Sequence, residues 1–129
     1  MPSKNIIAFI PARGGSKRFP GKNIAKFLGK PLISYPIKEA KHSKVFNKVL
    51  VSTDSIKISQ VAKQYGAEVV KRSIKNSSNK AHELEACREY LLNLIKLNKS
   101  LPDLFCIIYP TAVLLKAKDL KKSLNIKLI

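Results

Sequence analysis

Asn5-Ile6-Ile7-Ala8-Phe9-Ile10-Pro11-Ala12-Arg13-Gly14-Gly15 is a short, almost unbroken apolar run that ends in a basic residue and a pair of glycines. A run this short, without polar alternation, is the pattern of a strand buried on both faces, as in parallel sheets. Working outward, three more runs repeat it: Lys48 to Ser52, Ala67 to Val70 and Leu104 to Tyr109. Between them apolar residues recur at helical spacing, first as Ile33, Ile37 and Ala40, then as Ile58, Val61, Ala62 and Tyr65. A third stripe consists of Leu84, Cys87, Leu91, Leu94 and Ile95. Strand alternating with helix predicts an α/β fold with a parallel sheet and right-handed crossovers.

The punctuation adds boundaries. Pro31 suits a first helical position, which puts Pro36 inside the helix, where it kinks the helix unless the helix begins later. Asp54 or Ser55 caps the second helix, and Gly66 stands at its C-terminal cap. Lys116 to Leu124 reads as a last short helix, followed by Ile126, Leu128 and Ile129 as the start of a further strand. So little after the fourth strand makes the sheet look unfinished.

The 129 residues, 45% of them hydrophobic, suffice for one domain with a core. No apolar run approaches the roughly 20 residues that span a bilayer, so the expectation is a cytoplasmic protein with no membrane partner. Cys87 and Cys106 form no CxxC pair and read as reduced core residues. His42 and His82 are too isolated for a metal site, no Ser or Cys nucleophile has a partnered base, and Tyr35, Tyr65, Tyr90 and Tyr109 read as core residues.

Lys and Arg number 25 against 8 acidic residues, a net charge of +17. Of these cations 21 are lysines dispersed along the chain, whereas nucleic-acid readout favours the arginine fork, so the charge reads as a solvated surface and argues against a nucleic-acid partner. Up to residue 65 there are 13 basic against 2 acidic residues, which makes the N-terminal part the anion-attracting one.

That part contains Ile10-Pro11-Ala12-Arg13-Gly14-Gly15-Ser16-Lys17-Arg18-Phe19-Pro20-Gly21-Lys22-Asn23, a basic glycine-rich loop at the carboxyl end of the first strand. Ligands of open α/β sheets bind at that edge. Gly14 and Gly15 let backbone amides approach an anion, and Arg13, Lys17, Arg18 and Lys22 surround it with charge. A polyphosphate is the natural guest. The loop matches neither GxGxxG nor GxxxxGK[ST], which disfavours a dinucleotide site and a P-loop ATPase.

Together with Phe27-Leu28-Gly29-Lys30-Pro31-Leu32-Ile33, this loop resembles the signature of acylneuraminate cytidylyltransferases. The likeness continues through Val51-Ser52-Thr53-Asp54-Ser55, Tyr65-Gly66-Ala67-Glu68-Val69, Arg72 to Asn79 and Asp103 to Leu115. Most members carry Gln-Pro-Thr-Ser-Pro after the fourth strand, whereas Tyr109-Pro110-Thr111-Ala112 is similar to the variant of pseudaminic acid cytidylyltransferases. The chain departs from the family pattern at Ser73, Asn79 and Val113.

The resemblance implies a three-layer Rossmann-like nucleotide-diphospho-sugar transferase fold. Residues 1–129 are then the N-terminal, nucleotide-binding part of a single domain whose complete relatives are homodimers. It also implies CTP and a nine-carbon sugar acid, pseudaminic or sialic in type, as substrates, Mg²⁺ as cofactor, and attack by the sugar's anomeric hydroxyl on the α-phosphorus with loss of pyrophosphate. By the same resemblance Arg13 and Lys22 are the catalytic, phosphate-binding cations, and Ser16 with the loop amides of Ala12, Gly14 and Gly15 cradles the phosphates. Asn23 contacts the nucleotide, and Arg72 lies near the base or ribose.

The family's Mg²⁺ carboxylates, sugar-acid pocket and dimerisation arm are expected in a portion following Ile129. Among the acids present, Glu83, Glu85 and Glu89 read as a solvated helix face, and Asp103 begins the fourth strand away from the ligand edge. Asp54 is an N-cap or a metal ligand. Three alternatives stay open: a remnant without turnover, a basic polyanion binder, and transfer of another nucleotide to another sugar.

Overall fold

The computed structural model describes residues 4–14, 22–73 and 83–128. Strand β1 (Ile6–Pro11) is buried at every position and pairs in parallel with β4 (Lys48–Thr53) on one side and β6 (Leu104–Ile107) on the other. With β5 (Glu68–Lys71) beyond β4, the sheet order is β5-β4-β1-β6, all parallel. The unbroken hydrophobicity of Ile6 to Ile10 has its reason here. Ala8 and Ile10 join one core with Val49 and Val51, while Ile7 and Phe9 join a second core with Leu50.

Helices α1 (Ser34–Ser43), α2 (Ile56–Gln64) and α4 (Ala117–Leu128) close the first core through Ile37, Ala40, Ile58, Ala62 and Leu120. On the opposite face α3 (Glu83–Lys96) contributes Ala86 and Cys87, with Tyr90 against Phe9 at 5.9 Å between ring centroids. Helix, sheet and helix make the three-layer α/β arrangement expected from the sequence. No helix among the described residues is long and apolar enough to cross a membrane.

Several local expectations change. Pro31 lies not in a helix but in β3 (Lys30–Pro31), which pairs antiparallel with β2 (Lys26–Phe27). The turn between them holds Leu28 and Gly29 at φ of 51° and 84°, the geometry of a tight hairpin. The helix therefore begins later, and Pro36 falls in its first turn, where an amide has no intrahelical acceptor to lose. Tyr35 donates its hydroxyl proton to the Phe27 carbonyl, pinning the hairpin to α1.

Helix α2 is capped by Ser55, whose Oγ accepts the Ile58 amide at 3.2 Å, and ends at Gly66 with φ of 90°. On α3 the inward residues are Ala86, Cys87 and Tyr90, whereas Leu84 and Ile95 of the expected stripe are exposed. Cys106 is half-buried and Cys87 buried, and neither is in a disulfide. Tyr109 is 59% exposed, because β6 ends two residues before it, and is not a core residue. The apolar tail read as a new strand continues α4 through Leu128.

At least four of the eight acidic residues accept a backbone N–H from a distant segment. Asp103 takes the Asn5 amide at 2.7 Å, Asp54 the Gly14 amide at 2.8 Å, Glu89 the Ser73 amide at 3.0 Å and Glu39 the Ala117 amide at 3.1 Å. Glu39 thereby ties α1 to the first residue of α4. Glu89, expected on a solvated face, is half-buried.

Candidate functional site

Adjacent parallel strands lie about 4.8 Å apart, so the carboxyl ends of β1, β4 and β5 share an edge about 10 Å wide. Three segments with chemistry on them emerge there: Ala12-Arg13-Gly14 from β1, Thr53-Asp54-Ser55 from β4 and Arg72-Ser73 from β5. The Ala12 amide donates to the Ser52 carbonyl at 2.8 Å and the Arg72 amide to the Thr53 carbonyl at 3.1 Å, which extends both strand pairings one residue into the site.

Asn23 enters from a 3-10 turn, Lys22–Ile24. Its Nδ2 donates to the Arg13 carbonyl at 3.2 Å, and its own carbonyl accepts the Ile33 amide at 2.9 Å. Asn23 is 4% exposed, and its Oδ1 is buried with no hydrogen-bond partner among the described residues. A buried acceptor without a donor carries a desolvation cost that a ligand N–H or O–H would relieve.

The Gly14 amide is directed at Asp54 Oδ1, 2.8 Å away, so this N–H is engaged within the protein. Gly14 is glycine for a spatial reason: a Cβ there would stand 2.8 Å from the Cβ of Ser55. The loop therefore leaves β1 packed against the first turn of α2. Arg13 stands between two anchored neighbours and is half-exposed. Arg72 is 3% exposed, a guanidinium enclosed at the strand edge, and the amide of the following Ser73 is held by Glu89 on α3.

The structure thus brings Ala12, Arg13, Gly14, Asn23 and Arg72 to one sheet edge. Gly15 and Ser16 lie outside the described residues, as do Lys17 and Arg18, and Lys22 is described by its backbone alone. His82 and Asn79 also lie outside them. Asp54 and Glu89 contribute in roles that sequence reasoning did not find. Ser55 carried a capping signal, but the Asp54 and Glu89 contacts span 40 and 16 residues, beyond the reach of any local pattern. Asp54 is thus not the N-cap, which Ser55 supplies.

Among the described residues no group of three or more His, Cys, Asp or Glu could hold a metal ion. The roles below are derived for this chain's own side chains and amides. Outside the site, the Tyr90 phenol is pushed up by burial and, less, by the Glu68 charge.

A cytidylyltransferase family model matches residues 7–126. The chain is 42% identical over 120 residues to pseudaminic acid cytidylyltransferase of Campylobacter jejuni, covering 93% of this chain and 51% of the relative. To N-acylneuraminate cytidylyltransferase A of Danio rerio it is 40% identical over 124 residues, 96% of this chain and 28% of the relative. The structure of CMP:2-keto-3-deoxy-manno-octonic acid synthetase complexed with CTP superposes with a TM-score of 0.78 at 21% identity, covering 94% of this chain and 46% of that one. That likeness shows the fold. The chain spans about half the length of the first of these relatives, or less of the others.

Proposed function

This chain belongs to the cytidylyltransferase family, and on that premise we propose that it provides the CTP-binding part of an enzyme that activates a nonulosonic acid of the pseudaminic type as its CMP derivative. The observation that carries the reading is the convergence of the Ala12-Arg13-Gly14 loop, Asn23 and Arg72 on one sheet edge inside the matched region. The 42% identity to a pseudaminic acid cytidylyltransferase supports the sugar class, as does the Tyr109 to Ala112 stretch.

In the proposed reaction the anomeric hydroxyl oxygen of the sugar acid bonds to the α-phosphorus of CTP. The bond from that phosphorus to the oxygen bridging the β-phosphate breaks, pyrophosphate leaves with the electron pair, and the hydroxyl proton passes to solvent or a base. Charge accumulates on the transferred phosphoryl group and on the leaving group, so fixed cations supply most of the stabilisation. Arg13 and Lys22 take that role, with Ser16 and the Gly15 amide against the phosphates. Asn23 Oδ1 accepts a hydrogen bond from the nucleotide, and Arg72 faces its base or ribose.

Thermal unfolding of the purified chain with CTP, UTP, ATP and GTP, each with and without Mg²⁺, tests the reading. A ligand at about 100 times its dissociation constant adds roughly 2.7 kcal/mol to stability. A rise in Tm selective for CTP is expected. An equal rise with all four nucleotides, or a cooperative transition unmoved by any, overturns it.

A further inference from the structure

Asp54 presents a paradox of charge. A carboxylate beside a basic, anion-attracting loop weakens anion binding, so its place there needs another explanation. Capping does not supply one, since Ser55 Oγ holds the Ile58 amide at the start of α2. The contact the structure shows for the carboxylate is a different one, from Oδ1 to the Gly14 amide.

Three contacts define what Asp54 does. Its Oδ1 takes the Gly14 N–H at 2.8 Å. The Cα of Gly14 sits so close to Ser55 that an added Cβ would come within 2.8 Å of that residue's Cβ. On the other side of the same peptide unit, the Arg13 carbonyl accepts from Asn23 Nδ2 at 3.2 Å. The peptide joining Arg13 to Gly14 is therefore gripped at both its carbonyl and its N–H, and the direction in which the loop leaves β1 is set before any ligand arrives. The contact joins segments 40 residues apart.

We propose that Asp54 is a positioning residue: it clamps the Gly14 amide so that Arg13 and Gly14 are held in nucleotide-binding geometry, through its acceptor oxygen and not its charge. The nucleotide half of this statement rests on the CTP reading above; the clamp itself does not. Two consequences separate it from a metal-binding or purely electrostatic role. Asparagine at position 54 keeps an acceptor oxygen and removes the repulsive charge, so it should serve as well or better. Alanine removes both.

The test uses the isotopically labelled chain and its Asp54→Asn and Asp54→Ala variants. Amide exchange at Gly14 is followed without nucleotide, with the core Phe9 amide as reference, and CTP affinity is measured by calorimetry with and without Mg²⁺. Expected is a protected Gly14 amide in the parent and in D54N. In D54A, exchange at Gly14 should rise at least tenfold relative to Phe9, with CTP affinity reduced at least tenfold; D54N should restore it irrespective of Mg²⁺. If D54A loosens the whole fold, both amides accelerate, and D54N against the parent then carries the decision. Gly14 protection that survives D54A overturns the clamp, as does loss of Gly14 protection in D54N. A D54N chain that loses CTP affinity while Gly14 stays protected shows that charge matters and overturns the acceptor role. Absence of CTP binding to the parent removes the functional reading alone, because the exchange measurement still judges the clamp.

Discussion

Alanine at position 14 tests quantitatively how closely the first two strand ends are packed. The added Cβ stands 2.8 Å from Ser55 Cβ, 3.4 Å from Ser55 Oγ and 3.6 Å from Asp54 Oδ1. Carbon atoms in contact prefer about 3.5–4.0 Å, so the loop and the first turn of α2 must part by about 1 Å. Overpacking of that order costs about 1–3 kcal/mol, whereas alanine restrains the unfolded chain and offsets about 0.4–1 kcal/mol of it. The expected net loss is about 1–2 kcal/mol, a fall in Tm of roughly 3–10 °C for a domain of this size. Ser55→Gly removes the opposing Cβ, and as glycine is a fair N-cap it costs only about a few tenths of a kcal/mol alone. Urea unfolding of the parent, both single variants and G14A/S55G closes a double-mutant cycle. The double variant should recover about 1 kcal/mol over the sum of the singles. Additive losses would refute the argument that contact with Ser55 is what excludes a side chain at position 14.

Further outcomes follow from other contacts. Gly66→Ala places a Cβ at φ of 90° and should cost about 1–2 kcal/mol in urea unfolding, mainly from backbone strain, since the nearest obstacle is the flexible end of Lys41. Glu89→Ala leaves the Ser73 amide without its carboxylate acceptor and should cost about 1–3 kcal/mol, with faster exchange at Ser73 but not at Gly14. For Tyr90 the folded phenol holds its proton to higher pH than the unfolded one, whose ordinary value is 10.0. Its contribution is therefore intact below that pH and is lost as pH rises beyond it. Tm profiles of the parent and Tyr90→Phe from about pH 8 to pH 11 should diverge only at the alkaline end.

Much of the architecture was legible because burial writes itself into the chain locally. The run from Ile6 to Ile10 has no polar alternation, since both faces of the central strand are covered, and that alone marks a sheet between two layers. What escaped was decided by partners far away. Leu84 and Ile95 carry the same hydrophobicity as the inward residues of α3, but the rotation of that helix is set by Cys87 and Tyr90 meeting Phe9. Pro31 was compatible with a helix start; the positive φ values of Leu28 and Gly29 fold it into a hairpin instead. Ile126 and Leu128 are apolar enough for a strand, yet they extend a helix whose first residue is fastened to Glu39, 78 positions earlier. For the site, glycines and cations located the loop, while Asp54 and Glu89 looked like capping and surface acids because their amide partners are invisible to local spacing.

The use of carboxylates as fasteners for backbone amides also bears on how fast a ligand arrives. Acids tethered to Asn5, Gly14, Ser73 and Ala117 stay where the fold needs them, and the net charge of +17 acts on whatever approaches from solution. Such a field reaches about 30 Å at 0.01 M salt but only about 8 Å at physiological ionic strength. Polyanion capture by this chain is therefore expected to have a salt-sensitive association rate and a nearly salt-insensitive dissociation rate, so that the surface lysines govern encounter and the strand-edge residues govern residence.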